Sequence, residues 1–484
     1  MKRSITKNYI YNLLYQILVM FIPLITTPYL SRVFGAENLG IYSYTLSIVT
    51  YFILFGSIGL GLYGQREVAF YQEDKEKYTK SFWEVFLLKL ITMTLSGLVY
   101  FFVFVNGTEY KLYYTILLLE LIGNCIDISW FFQGLEEFKK TVLRNTFIKV
   151  ISLFCIFIFI KSENDLVYYF IIYVLSTFLG NLTLWFYLPK YLVKINFKDI
   201  NVFKHLKPTL AIFIPQIAIQ VYTLLDKTMI GSFITNKSAV GYYDNGQKII
   251  KVLLTVITSL GTVMMPRIAN TFAKGNRKQI QKYMNNSFNV VFFLAFPMIF
   301  GIISVTPAFV PIFFGSGYEP VISLMSIISP IILLIGLSNV TGTQYLLPTK
   351  RQKEYTISVV CGALVNFCLN FVLISKYGAF GASTGTVIAE TVVTAVQMFY
   401  VRKDFELKHV FHLSINYIFS SLIMFVFCLV VRNLINNNLI SVIAQVLVGI
   451  IVYISFLLVF KDNFLIELIT KFKKRLRSKR YEKI

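Results

Sequence analysis

Long apolar stretches alternate with short polar segments along the whole chain, and this pattern predicts membrane-spanning helices. Crossing a hydrocarbon core of about 30 Å takes about 20 helical residues, and each stretch is long enough to do so. The pattern predicts fourteen spans: 8–33, 39–64, 80–105, 111–134, 141–160, 166–188, 207–233, 239–266, 284–306, 319–347, 355–375, 380–401, 413–432 and 439–460. Little of the chain is left over for a soluble domain.

The composition agrees with this pattern. The 484 residues are 56% hydrophobic and only 14% charged, and the mean hydropathy is +0.67. A soluble protein of this length would need more polar residues to cover its surface. The composition therefore indicates an integral membrane protein.

The basic residues follow the predicted spans. The net charge is +22, which by itself would suit nucleic acid. However, few of the 46 Lys and Arg residues fall in the loops that would face outward: Arg32, Lys111, Lys161, Lys237, Lys376 and Arg432. Because Lys and Arg concentrate in short cytoplasmic loops, we predict fourteen transmembrane helices with both termini cytoplasmic and no nucleic-acid partner.

The termini, cysteines and histidines suggest no processing or cofactor site. The basic start MKRSITK leads into an apolar stretch that is too long for a signal peptide, so we expect a retained first helix. The five cysteines fall inside spans without a CxxC pair, and His205, His409 and His412 lie in basic loops. His409 and His412 have no acidic or thiol partner nearby, so neither a metal nor a cofactor is predicted.

The chain repeats itself with an offset of about 200 residues. FIPLI at 21–25 in span 1 matches FIPQI at 213–217 in span 7, and LGIYSY at 39–44 matches VGYYDN at 240–245. Both copies begin at a predicted cytoplasmic end. The pattern therefore predicts a parallel repeat, with two six-helix lobes related by a pseudo-two-fold axis along the membrane normal.

This repeat sets the predicted domain boundaries. The segment 189–206 mixes Lys with Phe and Ile, a pattern that suits a helix lying at the cytoplasmic interface. The predicted organisation is an N-lobe at 1–188, a linker at 189–206, a C-lobe at 207–401, two extra helices at 402–460 and a basic tail at 461–484.

The stretch GLGLYG at 59–64 has the spacing of a dinucleotide-binding turn. That motif requires a preceding strand, whereas these glycines end an apolar helix. The second copy of the repeat keeps small residues here but loses the third glycine. We therefore interpret the glycines as sites of close helix packing.

Polar residues recur at helical spacing in spans 7 and 8. In span 7 they are Gln216, Gln220, Thr223 and Lys227, with Asp226 alongside. In span 8 they are Asp244, Lys248, Lys251, Thr255 and Thr258. Steps of three and four place residues on one helix face, and charged groups are costly in lipid. We therefore predict that both stripes face a water-filled cavity near the membrane midplane.

The first predicted lobe also carries charges inside its spans. These are Lys89, Lys149 and an acidic stripe of Glu120, Asn124 and Asp127. Two interpretations stay open: the acids pair with the lysines as structural contacts, or they bind a coupling proton or sodium ion. Glu84 and Glu390 have no evident partner and are unassigned.

A cationic cavity between the two lobes predicts an anionic cargo, such as a phosphate or pyrophosphate head group. Exporting a negative charge from a cell that is negative inside releases about 2.3 kcal/mol per charge per 100 mV. We therefore expect that the membrane potential can drive net export.

Four stretches carry a family resemblance: FIPLITTPYLSRVFGAENLGIYSY (21–44), GQREVA (64–69), WFFQGLEEFKK (130–140) and DKTMIGSF (226–233). Together they resemble the polysaccharide repeat-unit flippases, which are the Wzx-type branch of the multidrug/oligosaccharidyl-lipid/polysaccharide exporter superfamily. The similarity runs from about residue 4 to residue 460.

The resemblance implies an all-α membrane fold of two six-helix bundles that alternate between inward-open and outward-open V shapes. The implied cargo is an undecaprenyl-pyrophosphate-linked oligosaccharide, moved to the outer leaflet of the bacterial cell membrane for capsule, exopolysaccharide or cell-wall polysaccharide assembly. Membrane lipids, the polysaccharide polymerase and glycosyltransferases are candidate partners. The two C-terminal helices, 413–432 and 439–460, are implied to accommodate the lipid tail.

The family's basic cavity residues bind the head group, and this role is carried over to Lys248 and Lys251, and also to Arg32 and Lys227. The polar neighbours that complete the predicted site are Asp244, Asp226, Gln216 and Gln220. Ser47 stands near the place in span 2 that Lys248 occupies in span 8, so we expect an asymmetric cationic surface.

Pro23 and Pro215 occupy matching places in the repeat, and each removes one helix hydrogen bond. We predict that they are hinges of alternating access; static kinks are the alternative.

Three other functions compete with this prediction. A drug exporter of the same fold would take organic cations, which a lysine-rich cavity repels. A lipid II flippase would differ only in its sugar load. A membrane polymerase or glycosyltransferase needs a sizeable outer loop, and none is predicted, so a transporter is favoured over an enzyme.

Overall fold

The protein is α-helical throughout the part of the chain that its computed structural model describes. That part comprises residues 5–107, 109–405 and 407–471, without the side chains of 5–19, 138–139, 212, 214–216, 218–219, 221–222 and 407–409. Within these ranges there is no β-strand. The chain divides into two compact units, Met1–Gly241 and Tyr242–Ile484.

The helices of the first unit follow one another with short connections, except for the longer segment between α7 and α8. They are α1 (Ile5–Ser57), α2 (Leu60–Phe70), α3 (Lys75–Tyr100), α4 (Lys111–Cys125), α5 (Ser129–Gly134), α6 (Phe138–Phe159), α7 (Leu166–Trp185) and α8 (Leu206–Phe233). A π-helical turn, Phe101–Val105, extends α3. Helix α4 packs against α7, and α1 packs against α3, α6 and α8.

The second unit is built from longer helices. They are α9 (Ser238–Ala273), which begins at the end of the first unit, α10 (Arg277–Phe313), α11 (Glu319–Ile328), α12 (Ile331–Ser338), α13 (Gln352–Val401), α14 (Leu407–Leu434) and α15 (Asn438–Val459). A π-helical segment, Asn339–Leu346, follows α12. Helices α10, α14 and α15 pack against one another.

Eleven helical segments of the described residues are long and apolar enough to cross a membrane. Large apolar side chains remain on their outer faces: Leu95 is 59% exposed, Phe154 62% and Phe371 60%. So much exposed apolar surface is unfavourable in water and is satisfied by lipid. The predicted class, an all-α protein with many membrane spans, is confirmed.

Glycines interrupt helices where the apolar pattern runs on. Helix α1 contains predicted span 1 and most of predicted span 2, and its helical geometry breaks at Gly35, where φ is 69°. Gly59, with φ of 77°, separates α1 from α2 inside the predicted second span. Gly378, with φ of 55°, breaks α13 between predicted spans 11 and 12. Glycine adopts this left-handed conformation without the penalty that a Cβ atom imposes.

The GLGLYG stretch contains one tight packing contact and one helix break. A Cβ atom on Gly64 would lie 2.5 Å from the Trp130 ring, so only glycine lets α2 lie this close to α5. Gly61 has nothing within 4 Å of such an atom. The interpretation of close helix packing is confirmed at Gly64, and Gly59 serves as the αL residue that starts α2.

Two predicted spans are broken by polar or cyclic residues. Span 4 was expected to be continuous over 111–134, but α4 ends at Cys125 because the Asp127 carboxylate accepts the Ser129 N–H, 2.9 Å away, and starts α5. Span 10 divides into α11, α12 and a π-helical segment, with Pro330 at the junction between α11 and α12. Apolar content predicted the span but not these interruptions.

The expectation of an interfacial helix at 189–206 is wrong. This segment contains only the short 3₁₀ turns Leu188–Lys190, Phe197–Asp199 and Val202–His205. Its backbone is used by other elements: the Tyr78 hydroxyl donates to the Tyr191 carbonyl at 2.7 Å. The Asn196 side chain caps the second turn, and side-chain caps of this kind compete with a continuous helix.

Repeat-related glycines meet in the first unit. A Cβ atom on Gly40 of α1 would lie 1.8 Å from the Lys237 carbonyl oxygen, and one on Gly241 would lie 2.0 Å from that of Ala36. Lys237 closes the end of α8 by donating to the carbonyls of Gly231, at 2.7 Å, and Ile234, at 3.1 Å. Burial lowers the pKa of its ammonium group.

Candidate functional site

The polar stripe predicted on α9 begins with an ion pair. Lys248 Nζ lies 2.8 Å from Asp244 Oδ2, and the two side chains are 38% and 5% exposed. Lys248 Nζ also lies 3.5 Å from Asn245 Oδ1. The pair is spaced by four residues on one helix face, so the buried carboxylate binds the ammonium group of a lysine whose side chain is partly exposed.

The stripe continues towards more exposed positions. Lys251 is exposed on the next turn of α9. Thr255 donates to the Lys251 carbonyl at 2.8 Å, and Thr258 donates to the Leu254 carbonyl at 3.2 Å. Both hydroxyls donate back to their own helix, and the positive charge of this face comes from Lys248 and Lys251.

The stripe predicted on α8 is described only in part. Asp226 is buried at 3% exposure, Lys227 is half-buried, and Gln220 and Thr223 are exposed. Pro215 and Gln216 fall within α8, but their side chains lie outside the described residues. The predicted head-group role of α8 therefore remains a prediction.

Two of the remaining predicted residues of α1, Arg32 and Ser47, have hydrogen-bond partners. Arg32 is exposed and its Nη1 donates to the Pro28 carbonyl at 2.7 Å. The Ser47 hydroxyl is buried and lies 2.9 Å from Thr228 Oγ1. Pro23 lies within α1, and the non-helical geometry of that helix falls at Gly35 instead. Whether Pro23 and Pro215 act as hinges stays a prediction.

The charged residues of spans 3 and 4 meet through the backbone. Lys89, 5% exposed, donates to the main-chain carbonyl of Asp127 at 2.9 Å. The Asp127 carboxylate instead accepts from Ser129. Glu120 is buried and accepts from Asn124 at 3.1 Å, while Lys149 is half-buried on α6. Both interpretations of this group, structural contacts or ion coupling, stay open.

A second charged cluster, which we call the Glu84 cluster, was not predicted from the sequence. It consists of Tyr63, Glu84, Lys204 and His205. Glu84 Oε2 lies 2.6 Å from Lys204 Nζ and 3.0 Å from His205 Nε2, and Oε1 accepts the Asn201 N–H at 2.9 Å. The Tyr63 hydroxyl lies 2.7 Å from His205 Nδ1.

The acid and the imidazole of the Glu84 cluster are buried in the first unit, whereas Lys204 is 44% exposed. Glu84 is fully buried, and His205, which was predicted to lie in a basic loop, is 2% exposed. The partners of Glu84 come from chain positions more than a hundred residues away. No helical spacing could reveal them, which is why Glu84 had no evident partner.

The chemistry available at α9 is anion binding. Lysine ammonium groups attract phosphate as point charges, and a buried aspartate fixes one of them. Within the described residues no group of histidine, cysteine and carboxylate side chains could hold a metal ion.

Comparison with known proteins identifies the family of this chain. A family model described as "Polysaccharide biosynthesis protein" matches residues 5–272, more than half of the chain. A second model, "Lipid II flippase MurJ", matches residues 146–441. A putative O-antigen transporter of Escherichia coli (strain K12) is 26% identical over 417 residues, covering 83% of this chain and 98% of the relative.

Solved structures share the fold. Lipid II flippase MurJ in an inward closed conformation matches with a TM-score of 0.76 at 18% identity, covering 94% of this chain and 99% of that chain. An inward-facing MATE family multidrug transporter matches with a TM-score of 0.63 at 15% identity, covering 80% of this chain and 95% of that chain. These likenesses show the fold alone.

Fold and family together define a multi-pass membrane transporter of the exporter type, not an enzyme. The chain belongs to the polysaccharide biosynthesis protein family, the Wzx-type flippases of the multidrug/oligosaccharidyl-lipid/polysaccharide exporter superfamily. The predicted family resemblance is confirmed.

Proposed function

We propose that this protein moves undecaprenyl-pyrophosphate-linked oligosaccharide repeat units from the inner to the outer leaflet of a bacterial cell membrane. Its family supports this proposal, as does the relative described as a putative O-antigen transporter. The product would serve capsule, exopolysaccharide or cell-wall polysaccharide assembly. The polymerase and glycosyltransferases of that assembly are its candidate partners.

The observation that carries the proposal is the ion pair on α9. Asp244 holds Lys248 at 2.8 Å while leaving 38% of the lysine side chain exposed, and Lys251 is exposed one turn further on. Two ammonium groups on one face match the two phosphates of a pyrophosphate. In the proposed mechanism they bind the head group, and alternating access then exposes it to the other side.

The helix count supports a fourteen-span topology. The eleven candidate spans include two that contain a glycine break, at Gly35 and at Gly378, and each of these counts as two. Helix α8 adds one more. The predicted parallel repeat gains support from Gly40 and Gly241, which are equivalent in the repeat and pack closely. We propose two six-helix lobes, two additional C-terminal helices and both termini in the cytoplasm.

The function is tested by transport in liposomes. Fluorescent undecaprenyl-pyrophosphate oligosaccharide and the purified protein are reconstituted in liposomes. An enzyme added to the outer solution acts on the sugar only when it is exposed at the outer leaflet. We expect exposure to rise with time in protein-containing liposomes and to stay at background in empty ones. Background exposure with folded protein would contradict the proposal.

Two further substrates separate this function from its rivals. Lipid II is tested because the lipid II flippase model matches residues 146–441. An organic cation tests the drug-exporter alternative. We expect the repeat unit to be moved faster than lipid II, and the cation not to be moved. Faster transport of either rival substrate would replace the proposal.

A further inference from the structure

An apolar groove runs between α6 and α7 on the outside of the first unit. It encloses a volume of about 510 Å³. Its wall is formed by aliphatic and aromatic side chains of both helices, among them Phe147, Ile151, Phe159, Ile172 and Leu175.

The groove is longer than one leaflet is deep. Its lining on α6 runs from Arg144 to Phe159, fifteen helical steps that span about 22 Å at a rise of about 1.5 Å per residue. Half of a hydrocarbon core of about 30 Å is about 15 Å. A chain that lies along the whole groove therefore extends further than the depth of one leaflet.

The polar side chains of the wall are turned to their own backbone. Ser152 donates to the Ile148 carbonyl at 2.9 Å, and Ser176 donates to the Tyr173 carbonyl at 2.7 Å. Thr183 donates to the Gly180 carbonyl at 2.7 Å. Because these hydroxyl hydrogens are already donated to the backbone, the wall offers few hydrogen bonds to a sugar. It therefore favours a hydrocarbon occupant over a glycan.

One end of the groove carries a fixed positive charge. Arg144 Nη1 donates to the Gly180 carbonyl at 2.8 Å and to Asn181 Oδ1 at 3.0 Å. Its Nε donates to Asn145 Oδ1 at 2.9 Å, and its Nη2 donates to the same oxygen. Asn181 is itself held by the Gly123 carbonyl at 2.8 Å. The guanidinium is thus positioned at the groove end, and arginine is well suited to bind phosphate.

We propose that this groove binds a polyprenyl phosphate, with the isoprenoid chain along α6 and α7 and the phosphate at Arg144. The lining selects a long hydrocarbon, the length selects a chain longer than a leaflet, and the charge selects an anionic head. The inference rests on the proposed function, because it assigns a second site to the lipid part of the proposed cargo, apart from α14 and α15.

Native cysteines make the groove directly observable. Cys155 lines it, whereas Cys368 is exposed on α13 in the second unit. The wild-type protein in nanodiscs is labelled with a membrane-permeant maleimide, and mass spectrometry follows both cysteines. Undecaprenyl phosphate at several times its dissociation constant is expected to slow labelling of Cys155 about five-fold. Labelling of Cys368 is expected to be unchanged.

Two control ligands distinguish recognition of the phosphate from recognition of the isoprenoid chain. Undecaprenol has the chain without the phosphate, and phosphatidylglycerol has a phosphate with shorter chains. We expect weaker protection of Cys155 by both. Equal protection by phosphatidylglycerol would overturn the proposal in favour of a general lipid site, and no protection by undecaprenyl phosphate would overturn it outright.

Variants test the phosphate contact at Arg144 and the apolar wall of the groove separately. Arg144→Gln should weaken protection by undecaprenyl phosphate, and Arg144→Lys should retain more of it. Ser176→Phe should fill the groove and slow labelling without ligand, whereas Ser375→Phe, at an exposed serine of α13, should not. Protection that is insensitive to all these variants would contradict the site. Since labelling needs no transport, failure of the groove is distinguishable from failure of the flippase function.

Discussion

Among the described residues, two buried carboxylates, Glu84 and Asp244, pair with a lysine, and their surroundings differ. In the Glu84 cluster the acid is fully buried and is satisfied by Lys204, His205 and the Asn201 N–H. On α9 the acid, Asp244, is also buried, and the two lysines are similarly exposed, Lys204 at 44% and Lys248 at 38%. The pairs differ in what they connect: Glu84 joins segments more than a hundred residues apart, whereas Asp244 and Lys248 lie one turn apart on a single helix, next to exposed Lys251. We therefore expect the first pair to be structural and the second to face a ligand.

The largest expected effect is at Glu84. Replacing it by Gln removes the charge that Lys204, 44% exposed, and buried His205 both contact, and we expect the first unit to lose about 2 kcal/mol of unfolding free energy, within the range for hydrogen bonds to a charged group. The measurement is unfolding in detergent, compared with Glu73→Gln at an exposed position. Equal stability of the two variants would show that the Glu84 cluster is not structural.

A smaller loss is expected at His205. His205→Gln removes a ring that contacts both Tyr63 and Glu84, and glutamine cannot span both partners in the same geometry. We expect a loss of about 1–2 kcal/mol, the usual range for a lost buried hydrogen bond. The same unfolding assay measures it, and a loss larger than that of Glu84→Gln would reverse the order of importance proposed for the cluster.

The smallest effect on stability is expected on α9. Lys248→Met removes a half-exposed partner, and water can then reach Asp244, so we expect a loss of about 1 kcal/mol or less. If this variant unfolded as readily as Glu84→Gln, the distinction between a structural and a ligand-binding charge pair would fail.

These two regions also show which features a sequence can reveal. Asp244 and Lys248 are four residues apart, so helical spacing alone predicted their shared face. Glu84 and His205 are 121 positions apart, and no local pattern links them. The same limit explains the linker: its Lys and Phe spacing resembled a helix, but contacts such as that of Tyr78 with Tyr191 favoured short turns.

Helix interruptions mark a further limit. Apolar content predicted where the chain spans the membrane, and glycine and proline showed where bending is easy. Neither pattern revealed that α1 breaks at Gly35 and not at Pro23. A proline can lie within a continuous membrane helix when neighbouring groups satisfy the backbone carbonyl that it leaves without a hydrogen bond. Its effect on the helix therefore depends on tertiary packing.

The measurement that tests the central claim most directly is transport by a lysine-deficient variant. Lys248→Ala/Lys251→Ala is compared with Lys274→Ala/Lys278→Ala, which removes the same charge from exposed positions after α9 and in the first turn of α10. Both are reconstituted in liposomes with undecaprenyl-pyrophosphate oligosaccharide after their folding has been verified. We expect the first variant to lose about ten-fold or more of the flipping rate, equivalent to about 1.4 kcal/mol or more, and the second to keep the wild-type rate. Equal rates in the two folded variants would contradict head-group binding by α9.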